Sequence, residues 1–159
     1  DRVAAFHAAA DGGPRVAACG TFDVVATNAR DNFTQSEAHV GSTVSRSVFD
    51  RLRARNEDWL AKLRPLIESR AARGVPRDTH GDLHLDHVYH FPDRPPPADL
   101  VVIDCIEFSE RFRFADPVAD AAFAVMDLKF RGRRDLAGVF AEAYFRGATD
   151  AEGAGLLPF

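Results

Sequence analysis

The sequence has only two cysteines, Cys19 and Cys105, in 159 residues. That count offers no disulfide framework, and the expected compartment is the reducing cytosol. Long apolar runs are missing, because each hydrophobic stretch is short and broken by charge. A transmembrane helix is therefore not expected. The opening DRVAAFHAAA has no basic region ahead of an apolar block, so nothing reads as a signal peptide. No long basic run offsets the net charge of −4, and nucleic acid is not the expected partner. There is no G-x-x-x-x-G-K-[ST] phosphate loop and no histidine after His90. Internal repeats and low-complexity segments are also lacking.

What remains is ordinary in bulk. Hydrophobic residues make up 46% and charged residues 28%, enough to build the core of one domain at this length. The chain opens inside a helical pattern without an initiator Met and closes on Leu156-Leu157-Pro158-Phe159. The expectation is a single domain over residues 1–159, truncated at both ends from a longer polypeptide.

Helical periodicity dominates. Val3 to Ala10 reads as a helix ended by Gly12-Gly13-Pro14. Phe22, Val25, Ala29 and Phe33 recur at three- and four-residue steps. A long helix is expected to start at Ser47 and to carry Phe49, Leu52, Trp59, Leu63 and Ile67, with Pro65 kinking or dividing it near Arg64. Gly74-Val75-Pro76 stops it. Val88 to Phe91 and Leu100 to Ile103 are β-prone, and the second run is typical of a buried strand. They flank the Pro-rich tip Pro92–Pro97 and read as a hairpin. Asp116-Pro117 signals a further helix, and another follows Gly132. The expected fold is mainly α with a small β-hairpin that carries the unusual residues.

Those residues crowd one segment. Positions 79–91, THGDLHLDHVYHF, hold four of the six histidines and two aspartates. Two chemistries use such a set. One is a metal-dependent hydrolase, in which His84, Asp86 and His87 would form part of an H-x-H-x-D-H cluster for Zn²⁺. Asp82 occupies the place of that pattern's first His, and the usual downstream histidines are missing. The other is phosphoryl transfer, which needs positioned carboxylates more than covalent chemistry.

His80-Gly81-Asp82, then Asp104 closing an apolar strand, then Asp116-Pro117-Val118-Ala119-Asp120 resembles the catalytic half of the aminoglycoside phosphotransferase and choline kinase family, relatives of protein kinases. The match is tight over Pro76 to Phe130 and looser in the flanking helices. Val102-Ile103-Asp104-Cys105-Ile106-Glu107-Phe108 looks closest to a bacterial branch in which a phosphotransferase-like domain is fused to a P-loop ATPase domain. The resemblance implies the C-terminal, helical lobe of a kinase-like fold that uses ATP or another NTP with Mg²⁺, or alternatively Mn²⁺. The partners it implies are a small-molecule hydroxyl substrate, an absent nucleotide lobe and such an ATPase domain of the same polypeptide.

The resemblance also implies roles. Asp82 would accept the proton of the substrate hydroxyl or orient it. Asp104 would hold the cation, a hard oxygen donor for a hard ion. His80 would brace the loop, with His84 beside it, and Asp116 and Asp120 would cap a helix and tie it to the loop. Asp86 and Glu107 could contribute to a negative mouth that attracts a polyamine-like substrate. Where the family has Asn, this chain has His87, which offers nitrogen to a cation. Three accounts stay open. The cation rests on Asp104 with Asp86 or water; or the site prefers Mn²⁺; or catalysis is lost and the domain is a non-catalytic, pseudokinase-like module regulating a neighbouring ATPase. Ala115 replaces the Gly of G-D-P, and no Gly-rich strand pair with a phosphate-pairing Lys precedes His80. The 159 residues alone are therefore expected to bind ATP weakly and to transfer no phosphate.

Overall fold

Ser45, not Ser47, opens the longest helix. The computed structural model describes residues 1–159, and in it the Ser45 hydroxyl accepts the Val48 N–H at 3.4 Å. Helix α4 then runs undivided from Arg46 to Ala72, with Pro65 inside it. Proline removes one ladder hydrogen bond and normally costs a helix interior about 3 kcal/mol. Here the apolar stripe on both sides of Pro65 carries the helix across. Leu60, Leu63 and Ile67 are buried against Phe22, Ala26, Val118 and Leu156. The helix ends where the sequence expects. Gly74 takes a positive φ of 70°, and the Gly74 and Val75 N–H groups return to the carbonyls of Ala71 and Arg70.

Before α4 come α1 (Arg2–Ala9), α2 (Pro14–Cys19) and α3 (Phe22–Ser36). The Gly12-Gly13-Pro14 stretch therefore does more than stop α1, since Pro14 is also the first residue of α2. After α4 come β1 (Arg77–Asp78), a 3₁₀ turn (Leu85–His87), β2 (Val88–His90), β3 (Leu100–Val102), α5 (Glu110–Arg113) and β4 (Phe114–Ala115). Helices α6 (Val118–Phe130) and α7 (Arg134–Ala148) follow. The fold is mainly helical with two small antiparallel sheets, β1–β4 and β2–β3. No helix is long and apolar enough to cross a membrane.

The expected hairpin is present, with Val88 opposite Val102, Tyr89 opposite Val101 and His90 opposite Leu100. Its second strand is not buried. Leu100, Val102 and Ile103 are 38%, 41% and 46% exposed. Burial of a β-branched run requires a second layer, and no element of this chain covers the outer face of the two-stranded ribbon.

Helix α6 organises the rest. Val118, Ala121, Val125 and Leu128 face the core, with Ala121 beside Ala4 of α1 and Tyr144 of α7. Asp116 caps α6 by accepting the Val118 N–H at 3.0 Å. Its carboxylate also meets the buried guanidinium of Arg70 on α4, at 2.6 and 3.0 Å. Arg70 reaches Asp150 as well, at 2.9 and 2.7 Å. Burial opposes the charge on Arg70, yet its bonds to Asp150 and Asp116 outweigh that and hold its pKa above the ordinary value. Asp116 thus joins α4 to α6. Of the two roles expected of Asp116 and Asp120 together, Asp116 takes the cap.

Candidate functional site

The loop between β1 and β2 is gripped at both ends by α6. At its start, Asp120 accepts the backbone N–H of His80 at 2.8 Å and that of Gly81 at 2.9 Å. Near its end, Asp127 accepts the Leu85 N–H at 2.8 Å. This bond, together with Arg131, holds the Asp127 carboxyl below the usual carboxylate range against the opposing effect of burial. Asp120 was legible in the D-P-x-x-D phrase. Asp127 was missed, although its spacing of seven residues from Asp120 on one helix was available as a signal.

A third layer lies behind Asp120. The buried His7 of α1 bonds Asp120 through Nε2 at 3.0 Å and the Tyr144 hydroxyl through Nδ1 at 2.9 Å. Asp120 is an acceptor for His80 and Gly81, so His7 Nε2–H donates to it and Tyr144 O–H donates to His7. Burial, then the nearby Asp116, Asp150 and Asp120, raise the Tyr144 phenol above its ordinary pKa. Nothing in the sequence pointed to His7, because its partners lie 113 and 137 residues away.

Gly81 is needed as glycine. Its φ is 83°, and an added Cβ would stand 3.1 Å from the Phe112 carbonyl oxygen and 3.3 Å from the Arg113 Cα. His80 braces the loop as expected. Its Nε2–H donates to the Ile103 carbonyl at 2.8 Å, and its Nδ1 accepts the Asp82 N–H at 3.3 Å. Both of its ring nitrogens are therefore engaged.

His80 also pins the strand end that presents Asp104. The Ile103 N–H donates to the His87 carbonyl at 3.0 Å, so Ile103 is held on both sides. Asp104 then takes a φ of 63°, a left-handed conformation that Asp tolerates better than most residues. Its side chain is 77% exposed and points toward His87, with Oδ2 standing 3.5 Å from His87 Nε2. On the other side of the same ring, His87 Nδ1–H donates to the Asp82 carbonyl at 3.0 Å and lies 4.0 Å from Asp82 Oδ2. The carboxylates of Asp82 and Asp104 thus flank one imidazole.

His84 completes the group. Its ring centroid is 3.9 Å from that of His87, and its Nε2 is 3.6 Å from Asp82 Oδ2. Asp82, His84 and His87 each offer a ligand atom within 4.8 Å of the others. Asp86 is not among them. It lies 3.9 Å from His84 Nδ1 and is paired with Arg131 at 2.7 Å, so the His84/Asp86/His87 cluster of the hydrolase reading is not assembled. Glu107 is exposed on the loop after Asp104. A depression between α3 and α4 competes poorly as a site, because its Arg30 and Glu57 are bonded to each other.

The uncharacterized protein Rv2004c of Mycobacterium tuberculosis is 29% identical to this chain over 157 residues, covering 99% of the chain. The uncharacterized protein Mb2027c of Mycobacterium bovis matches equally. The chain spans 30% of the length of these curated relatives. No family model and no solved structure matches it.

Proposed function

We propose that the chain is the helical, catalytic lobe of an ATP-dependent phosphotransferase that moves the γ-phosphoryl group to a hydroxyl of a small molecule. The observation that carries this reading is the pair Asp82 and Asp104 on opposite nitrogens of His87. Phosphoryl transfer needs one carboxylate at the attacking hydroxyl and another at the charge-neutralising cation. The order of the motifs and the hold of Asp120 on His80 and Gly81 support it.

Asp82, about one-third exposed, accepts the substrate hydroxyl's hydrogen bond, orients it and takes its proton. Asp104 and His87 would hold a divalent cation, which would supply charge neutralisation on the phosphates. The exposed carboxylates of Asp82 and Asp104 favour a cationic acceptor such as a polyamine-like alcohol. Asp86 contributes less, because Arg131 neutralises it. The nucleotide lobe, and any P-loop ATPase domain, lie outside these 159 residues.

One feature favours a second reading, a non-catalytic module that regulates a neighbouring ATPase: His87 stands where the resembled family has Asn. Assay of the full-length protein with ATP and a panel of aminoglycosides, choline-like alcohols, polyamines and sugars separates the two. The expected result is transfer to one acceptor class, with Asp82→Asn lowering kcat by about 10²–10⁴-fold. Undiminished turnover in Asp82→Asn would overturn the role of Asp82. Nucleotide binding without transfer to any acceptor would favour the regulatory module.

A further inference from the structure

We infer that the cation site at His87 and Asp104 is built for a first-row transition-metal ion, such as Mn²⁺, in preference to Mg²⁺. The inference rests on the proposed reading of this loop as a cation site and names the ion that the site selects.

The tautomer of His87 comes first. The Asp82 carbonyl cannot donate, so the proton must sit on His87 Nδ1, where the two are 3.0 Å apart. In the neutral ring this leaves a lone pair on Nε2, and Nε2 is the nitrogen that faces Asp104. The two groups stand 3.5 Å apart. Donor atoms about 2.0–2.2 Å from a shared ion lie about 3–3.5 Å from each other, so the spacing matches that of two ligands of one cation. Backbone anchoring of the second ring nitrogen is also how metal-ligating histidines are commonly oriented.

The donor type decides which ion. Mg²⁺ prefers oxygen ligands and sheds water reluctantly. Imidazole nitrogen is a better partner for divalent first-row transition ions than for Mg²⁺, least so for Mn²⁺ and increasingly so for Co²⁺ and the later ions. His80 shows what a bracing histidine looks like in this loop, with both nitrogens engaged by the backbone. His87 engages only one. His84 adds a second imidazole next to it, with no nitrogen within hydrogen-bonding distance of a partner and Asp82 3.6 Å away. The surroundings thus lean further toward nitrogen donors.

The test is direct metal binding by the full-length protein, with Mn²⁺, Co²⁺ and Mg²⁺ each titrated alone. Mn²⁺ and Co²⁺ should bind at least tenfold more tightly than Mg²⁺, and bound Mn²⁺ should show ¹⁴N coupling in pulsed EPR. Asp104→Asn, on an exposed side chain, should weaken all three ions. His87→Asn should remove the nitrogen coupling and shift the Mn²⁺/Mg²⁺ preference toward Mg²⁺ by at least tenfold, because an amide offers oxygen. Equal affinity for Mg²⁺, lack of nitrogen coupling, or an unchanged preference in His87→Asn would each overturn the inference. Mg²⁺-supported transfer without nitrogen coupling would sink this inference and leave the proposed function standing. Nitrogen-coordinated Mn²⁺ in a protein that transfers no phosphate would do the reverse.

Discussion

Asp120 and Asp127, two turns apart on α6, hold opposite ends of the loop that carries Asp82, His84 and His87. One rigid helix therefore sets the geometry of the whole candidate site, and most of the consequences of mutation follow from how well it keeps its grip.

Asp127→Ala removes the acceptor of the Leu85 N–H and a partner of Arg131. The expected cost is about 1–3 kcal/mol of folding stability, with the larger disturbance at the 3₁₀ turn that positions His87. Chemical denaturation gives the first quantity and amide exchange at Leu85 the second. An unchanged Leu85 exchange rate would contradict the assignment.

The same residue sets a pH dependence. Its carboxyl titrates below the usual range in the folded state, so its contribution is fully present above the unfolded carboxylate pKa of about 4. The contribution is lost as pH falls through the lower, folded value. Stability should therefore decline on acidification below pH about 4, and Asp127→Asn should decline less over that window. Parallel curves for the two proteins would show that Asp127 is not the linked group.

Gly81→Ala should damage the loop without touching any chemical group. The substitution forces a side chain into a positive φ and against the backbone of Phe112 and Arg113. A loss of about 1–3 kcal/mol is expected. Ala at the exposed Gly132, also at positive φ but with nothing near its would-be Cβ, serves as the control and should cost less.

His7→Leu takes one of three donors from Asp120, which keeps the His80 and Gly81 N–H groups, and leaves the buried Tyr144 hydroxyl without its partner, whereas His7→Gln keeps a side-chain amide able to reach Asp120. The Leu variant should lose about 1–3 kcal/mol, chiefly for the Tyr144 hydroxyl left without a partner. It should also shift the Gly81 amide resonance, and the Gln variant should restore part of both. Equal loss in the two would mean that His7 acts by packing alone.

Arg70→Met tests the other buried hub. Removal of the guanidinium leaves Asp116 and Asp150 facing each other without a counter-charge. The expected loss is about 3–5 kcal/mol. The triple replacement with Asp116→Asn and Asp150→Asn should recover part of it, as read by thermal melting.

The sequence by itself determined the helical frame, the existence of the hairpin, and the placement of Asp82, His87 and Asp104 along one segment. These depend on neighbours in the chain: apolar spacing of three and four residues, glycine and proline at ends, and short runs of β-branched and aromatic residues. It left open whether Pro65 would kink or divide α4; the helix is not divided, because burial of Leu60, Leu63 and Ile67 against other elements carries it through. It misjudged the burial of Leu100 to Ile103, since a strand's propensity does not say whether a second layer exists to cover it. It was silent on His7, Arg70 and Asp127. A buried polar side chain must find its hydrogen-bond partner wherever the packed chain brings one, and for His7 that partner lies more than a hundred residues away, a distance only the tertiary structure closes.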